Sequence, residues 1–426
     1  MNARNVRRQW GWVCGGLLWV LTLSAAQSAP SPKKPERTQA FVVALNDDYD
    51  HAARKLTMVF RKVMREAQGI EVLDLANRLG RAAPKQVLQL REKANQALLA
   101  ARQAKIDLEL EQISVLARQA RESFESMGGY LAPLAGYKES LLLLAIGEAM
   151  QGHRKMALSA FFDLLILDPR FPASQIKAES FVVNLFKEAK QGVAKRARGS
   201  LSIKSQPPGS NIYVDGKLVG ISPDSIDGLV AGRHLVMLKR PGYQHWGKVV
   251  RVEAGNLVSL NVEMKGGKAG AGFESMVKRA GQAVSDRNLV GQVIRLGQVI
   301  GLDWVVLSQL ERDPGEIVLT AYLFDFKTSR VAHRANITVD AHSYSVNEEI
   351  RNFGKNFLVQ GRAALEKMRK EGDPLSGRLG TEDWDRNESE SAHEHRQTEA
   401  AQEHKRRQPQ ERSGDPLDRI DGTEDW

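Results

Sequence analysis

Cysteine is almost absent from the sequence. Cys14 is the single cysteine among 426 residues, which excludes a disulfide scaffold, a cysteine-ligated zinc site and a thiol enzyme. Aromatic residues are also scarce at 6%, whereas the hydrophobic share of 42% and the charged share of 26% are ordinary. This composition excludes a collagen, a wholly disordered chain and a multi-span membrane protein, and the length predicts about two to four domains.

The common signatures of catalysis are absent as well. The sequence contains no Gly-x-Ser-x-Gly elbow, Walker loop, His-Glu-x-x-His helix or EF-hand loop. Ser275 and Lys278 spell a Ser-x-x-Lys motif without its usual partner motifs, and His393, His395 and His404 lie in glutamate-rich, charged sequence. We therefore predict a protein that is not an enzyme, with no catalytic residue, cofactor or metal site. An enzyme whose site forms only in three dimensions stays open.

Residues 1–26 have the layout of a secretory signal peptide. Three arginines precede an apolar run from Trp10 to Ala26, and the small residues Ser24 to Ala26 fit a cleavage site. The alternative is an uncleaved membrane anchor, for which the run is at the lower limit of length. We predict export to the periplasm or cell envelope of a Gram-negative-type bacterium.

Residues 38–198 are predicted to form a mostly helical domain. It begins with a small β-α-β unit, in which strands at Phe41–Leu45 and Ile70–Leu73 flank an amphipathic helix. A long helical stretch from Pro84 to Met127 carries an apolar seam, typical either of a coiled-coil dimer or of a helix packed within its own domain. The shortness of the seam favours the second. The seam consists of Ile106, Leu110, Ile113, Ala117, Ala120 and Phe124.

Residues 138–171 have the pattern of a helical hairpin, with Gly152 at the turn and Asp168-Pro169 after the second helix. Its small, apolar and proline positions resemble a tetratricopeptide repeat. This resemblance implies a stack of helices with a groove for a partner's peptide. A plain helical hairpin is the alternative. The positions that carry the resemblance are Leu144, Ala145, Ala157, Phe161 and Pro169.

The character of the chain changes at residue 199, where glycine, proline and alternating β-forming segments replace the helical pattern up to residue 264. Four ordered turn motifs occur in this stretch, at Pro207, Pro208, Gly209, Tyr213, Asp215, Gly216, Gly232, Gly242 and Tyr243. Together these motifs resemble the PEGA domain. The resemblance implies a small antiparallel β-sandwich without catalysis, on an exported and modular envelope protein. Asp215 precedes a glycine and is interpreted as a turn residue.

Residues 265–272 form a glycine-rich linker, and residues 273–370 have an α/β pattern. Two helices precede a strand at Trp304–Ser308, a hairpin follows, and Val346–Met368 forms a closing helix. The segment from Gly301 through Ile317–Phe326 resembles the amino-terminal domain of TolB. That resemblance implies contacts with other proteins of the envelope.

Residues 371–426 are predicted to form a disordered acidic tail, with 16 acidic and 8 basic side chains. A Gly-Asp-Pro-Leu and Gly-Thr-Glu-Asp-Trp pattern occurs twice in it. Trp384 with Asp383, and Trp426 with Asp425, suit docking on a basic surface with a pocket, on a partner or on the basic body of the chain. A duplication without function is the alternative.

The net charge of +10 and pI of about 9.5 allow polyanionic partners. Export argues against nucleic acid and leaves anionic glycan or lipid headgroups, although the basic cluster at 187–198 also fits a solvated helix end. Together, these patterns predict a multidomain α+β protein without a cofactor. Its predicted function is a non-enzymatic envelope adaptor that binds envelope proteins. The alternative is a glycan-binding structural protein that tethers the envelope through the PEGA-like domain. The patterns predict no particular oligomeric state.

Overall fold

The computed structural model describes residues 35–45, 50–266, 268–286, 290–313, 315–340 and 346–371. The described residues from Glu36 onward belong to one unit. The predicted signal peptide and both tryptophan motifs of the tail lie outside the described residues. Within the described ranges, no helix combines the length and apolar character needed to cross a membrane.

The described chain mixes helices and strands throughout. The helices are α1 (Asp50–Glu66), α2 (Leu75–Arg78), α3 (Lys85–Ile106), α4 (Leu110–Ser126), α5 (Ala135–Met150), α6 (Arg154–Leu167), α7 (Ser180–Lys195), α8 (Lys268–Ala283), α9 (Val290–Ile300) and α10 (Val346–Lys370). The strands are β1 (Glu36–Ala44), β2 (Ile70–Val72), β3 (Arg198–Gln206), β4 (Asn211–Val214), β5 (Lys217–Ile221), β6 (Asp224–Val230), β7 (Gly232–Lys239), β8 (Trp246–Val252), β9 (Leu257–Glu263), β10 (Trp304–Asp313), β11 (Glu316–Asp325) and β12 (Arg330–Asp340).

The first strand belongs to the carboxyl-terminal α/β module. β1 pairs in parallel with β10, with Thr38 opposite Trp304, in a five-stranded sheet of order β12-β11-β10-β1-β2. One apolar core joins this sheet to α1 and α10, and a second core joins it to α8 and α9. The expectation that residues 38–73 belong with the helical domain is corrected by this pairing. A buried strand needs backbone partners on both sides, which helices cannot supply.

The helical module consists of α3 to α7. The long stretch predicted from Pro84 to Met127 is divided into α3 and α4 at Leu108, whose φ is +60°. The middle of the seam, from Ile113 to Phe124, is buried in the module's own core, whereas Ile106 is 73% exposed. This packing agrees with the intradomain alternative. The hairpin predicted around Gly152 is formed by α5 and α6, with Gly152 at a φ of +80°.

Residues 198–263 form two small sheets that face each other. The order is β6-β3-β9 in one sheet and β5-β4-β7-β8 in the other. β7 is buried on both sides, because Val236 and Leu238 enter the core between the sheets while Leu235 and Met237 pack on the helical module. A strand alternates its side chains between two faces, so β7 connects the sandwich to the helices.

Two expectations about this region are corrected, and one strand, β6, was not predicted. β3 pairs with β9 in parallel within a sandwich expected to be antiparallel. The second half of the expected 265–272 linker is the beginning of α8. β6 lies at a sheet edge and buries only Ile226 among its side chains, so its sequence carries little hydrophobic alternation.

Candidate functional site

The turn at Asp215 is a hydrogen-bonded connection between β4 and β7. Asp215 has a φ of +52°, and its carboxylate accepts from the backbone N–H of Leu235 at 2.9 Å and contacts Nδ1 of His234 at 2.7 Å. Nε2 of His234 lies 2.7 Å from the carbonyl of Val230. Both ring nitrogens therefore face acceptors, which favours the doubly protonated imidazolium. Burial alone would lower the pKa of His234, but Asp215 and the Val230 carbonyl outweigh it and raise that pKa.

Other motif residues contact elements outside the sandwich. The hydroxyl of Tyr213 donates to Asp74 at 2.9 Å, and the backbone N–H of Gly242 donates to the carbonyl of Leu79 at 2.8 Å. The carbonyl of Tyr243 accepts from the N–H of Arg81 at 3.1 Å. The motif residues thus hold the segment that follows β2 against the sandwich.

Two further glycines of the motifs adjoin the helical module. A Cβ on Gly216 would lie 2.7 Å from Leu134, and a Cβ on Gly232 would meet Ile166. The remaining motif turn, at Pro207 to Gly209, stays within the sandwich: the N–H of Gly209 donates to the carbonyl of Ser222 at 2.8 Å. Three of these motif residues, Pro208, Gly209 and Tyr213, also line a cavity.

Arg233 joins the sandwich to the helices by charge. Its guanidinium donates to Glu125 at 2.8 Å and to Asp163 at 3.0 Å, and Glu125 also accepts from the hydroxyl of Tyr137 at 2.9 Å. Burial raises the pKa of Asp163, an effect that Arg233 opposes without cancelling. The pair of carboxylates needs this guanidinium, because a buried charge without a partner is costly.

The backbones of the two modules also approach closely. A Cβ on Gly129 would lie 2.5 Å from the carbonyl oxygen of Trp246, and a Cβ on Gly247 would meet the backbone of Gly128 and Gly129. The rings of Tyr130 and His245 stack beside this contact, 4.8 Å apart. Only glycine leaves room for such an approach.

A cavity of about 440 Å³ lies where the sandwich, the α/β sheet and α8 meet. One wall is a face of α1, which places Thr57, Arg61 and Arg65 at intervals of four residues. The segment from Leu73 to Ala76, the sandwich turn at Pro208 and the first turns of α8 complete the lining. The volume is in the range of small-molecule sites.

Positive charge exceeds negative charge around this cavity. Among the described residues, five cationic side chains line it, against the two carboxylates of Asp74 and Glu274. The Nε of Arg61 donates to the carbonyl of Ala40 at 3.1 Å, and its guanidinium lies over the ring of Phe41. Burial, and next the charge of Arg65, lower the pKa of Arg61 to about 10. The cationic residues are Arg54, Arg61, Arg65, Arg240 and Lys278.

A second recess of about 340 Å³ lies in the helical module, between the turn of the α5–α6 hairpin and α7. Phe181 lines the recess and is 48% exposed. The guanidinium of Arg154 donates to the carboxylate of Glu188 at 2.5 Å, and both residues also line the recess. This recess combines an exposed aromatic ring with charged side chains, the composition of a surface that can bind a peptide.

The predicted site residues have different outcomes. The structure brings the motif residues together at the module contacts, whereas Asp383, Trp384, Asp425 and Trp426 lie outside the described residues. Sequence reasoning missed Arg61 and Arg240. For Arg61 the only local signal in the sequence is its position one helical turn after Thr57, inside an apolar helical pattern. Among the described side chains, no group of three His, Cys, Asp or Glu residues is placed to hold a metal ion.

Comparison with known families identifies one region of the chain. Residues 198–267 match the family model of the PEGA domain. The chain therefore contains a PEGA domain at the position where the turn motifs predicted one. No curated protein matches the chain.

Proposed function

We propose that the protein is a non-enzymatic adaptor that is exported to the periplasm or cell envelope of a Gram-negative-type bacterium. The observation that carries this proposal is the position of the PEGA domain: its motif residues contact the helical module on one side and the α/β module on the other. An adaptor needs its binding surfaces at fixed mutual positions, and these contacts supply that rigidity.

The helical module would supply the first partner surface. In this proposal α5 and α6 act as a tetratricopeptide-like hairpin, and the recess beside Phe181 binds a partner's peptide. The α/β module, which is similar to the TolB amino-terminal domain, supplies a second surface for an envelope protein. PEGA itself holds these two modules together.

The tail would recruit a further partner through its repeated motif. Trp384 and Trp426 provide an apolar side chain, and Asp383 and Asp425 provide charge next to it. Such motifs bind pockets with a basic rim. An anionic glycan or lipid headgroup is the remaining class of partner for the basic body of the chain.

Affinity capture from envelope extract tests the adaptor proposal. The bait is the chain from Gln27 to Trp426, compared with a chain that ends at Lys370 and with the double variant Trp384→Ala/Trp426→Ala. A double variant His393→Ala/His404→Ala is the matched control, because it changes the tail outside the repeated motif. We expect a stoichiometric protein partner that the control retains.

The captured partner shows which surface of the chain binds it. A partner lost with both tryptophans assigns the tail, and a partner retained by the shortened chain assigns the helical or α/β module. If no protein is captured, the adaptor proposal is wrong. Co-sedimentation of the shortened chain with purified sacculi would then support the glycan-tethering alternative.

A further inference from the structure

The cavity between the sandwich and the α/β module has a chemistry that the adaptor function does not use. Its lining combines a cluster of arginines with a wall of apolar side chains. Two of the arginines are buried, which is rare for this residue type unless its charge is compensated.

Arg240 is a buried arginine whose hydrogen-bond donors are only partly satisfied by the described residues. Its side chain is 4% exposed, and one of its nitrogens pairs with Glu274 at the rim. Within the described ranges, its Nε and its Nη1 have no hydrogen-bond partner. Buried guanidinium groups ordinarily satisfy their N–H groups, and an oxyanion accepts two of them at once.

Arg61 adds a second buried cation, on the wall that α1 forms. Its Nε is held by the carbonyl of Ala40, which fixes the direction of the guanidinium, and Arg65 follows one turn later on α1. The lowered pKa of Arg61 agrees with a site short of negative charge. An anion in the cavity would offset both the desolvation of the Arg61 guanidinium and its repulsion by Arg65.

The two acidic groups of the lining are already engaged. Asp74 accepts from the hydroxyl of Tyr213 at 2.9 Å and from the backbone N–H of Asn77 at 3.1 Å. Glu274 pairs with Arg240 and is 43% exposed. Neither compensates Arg61 by direct contact, so the cavity keeps an excess of positive charge.

The lining also has an apolar part, beside the polar side chains of Gln39, Thr57, Asn211 and Ser275. Phe41 comes from β1 and Leu73 follows β2, Phe273 and Val277 come from α8, and Ile221 comes from the sandwich. A free inorganic anion would leave this apolar part uncovered, and a neutral apolar molecule would leave Nε and Nη1 of Arg240 without an acceptor. The geometry points to a small amphiphilic anion: we propose that the cavity binds a molecule with an oxyanion head, carboxylate or phosphate, on an apolar body.

Isothermal titration of the full chain tests this proposal with five probes: decanoate, decyl phosphate, decanol, decyltrimethylammonium and inorganic phosphate. We expect one molecule of decanoate or decyl phosphate to bind per chain, and the tighter of the two identifies the head group. Decanol, decyltrimethylammonium and inorganic phosphate should each bind at least about tenfold more weakly. Equal affinity for decanol, for the cation or for inorganic phosphate would overturn the proposal.

Variants assign the binding to this cavity. Arg61→Met and Arg240→Met should each weaken binding of the anion by about tenfold or more. Arg251→Gln is the matched control, because Arg251 is exposed on β8 and outside the cavity lining. Val277→Trp keeps every charge and places an indole ring in the cavity, so it should weaken binding by about tenfold or more even if an arginine variant fails to fold. Unchanged affinity in Val277→Trp would contradict the assignment.

Discussion

Replacement of Arg233 by methionine should weaken the contact between the sandwich and the helical module. The substitution keeps an unbranched side chain of similar length and removes both charged hydrogen bonds, to Glu125 and to Asp163. Since Glu125 keeps the Tyr137 hydroxyl as a donor, the main loss falls on Asp163. The carboxylate of Asp163 would then be largely buried with no hydrogen-bonded cation, and Arg121 would be the remaining positive charge that acts on it.

The expected loss in the free energy of unfolding depends on how far the three charged side chains are exposed to solvent. Hydrogen bonds to charged groups contribute about 1.5–3 kcal/mol each, and removal of one partner from a fully buried pair costs about 3–5 kcal/mol. The side chains of Arg233, Glu125 and Asp163 are 28%, 18% and 14% exposed, so solvent screens part of the interaction. We expect a loss of about 2–3 kcal/mol in the free energy of unfolding.

Urea unfolding, followed by circular dichroism and by tryptophan fluorescence, measures this loss. Lys217→Met is the control, because it removes an exposed cation of β5 in the same sheet and should cost less than about 0.5 kcal/mol. The double variant Arg233→Met/Asp163→Asn should recover about 1 kcal/mol relative to Arg233→Met, since it no longer buries an unpaired charge. A loss below about 0.5 kcal/mol in Arg233→Met would refute the argument that this ion pair joins the modules.

Three further predictions concern stability. Because the pKa of His234 is raised, the stability that its protonation contributes is complete below about pH 6.5 and is lost as the pH rises through the folded-state pKa. Urea unfolding should therefore show a free energy of unfolding that falls between about pH 6 and about pH 9. Asp215→Asn should reduce this fall. Gly247→Ala should lower the free energy of unfolding by about 1–3 kcal/mol because its Cβ meets backbone, whereas Gly291→Ala, in open space on α9, should not lower it. Asp325→Asn should cost about 3–5 kcal/mol by the same measurement, because the fully buried carboxylate is paired with an arginine of α10; a cost below about 1 kcal/mol would contradict this pairing.

Local patterns predicted much of the secondary structure. The turn residues around Asp215 and the alternation that follows Gly232 have short-range causes, since a tight turn and a pleated strand are both specified within a few residues. The α5–α6 hairpin was predicted for a similar reason, from Gly152 and the helical periodicity on either side.

The pairing of β1 with β10 could not be predicted in the same way. The apolar run at Phe41 shows that the strand is buried, but several buried strands in the chain were equally possible neighbours. The edge strand β6 was missed because it buries one side chain, Ile226. Pairing across the chain depends on packing of whole modules, which no local window contains.

The junction cavity was beyond sequence reasoning for a related reason. Arg61 and Arg240 are separated by 179 positions in the numbering, and each alone is typical of a solvated surface residue. Their shared environment exists only after the sandwich, α1 and α8 pack together. A cavity assembled from two modules leaves no motif in the sequence.

The parallel pairing of β1 with β10 also determines the order in which the molecule can fold. β1 precedes its partner β10 along the chain, and the helices and the sandwich lie between them. Those intervening modules have their own cores and can fold while β1 still has an unpaired edge. The closure of the five-stranded sheet is therefore the late, high-contact-order step, and β1 is the segment exposed to aggregation until it occurs.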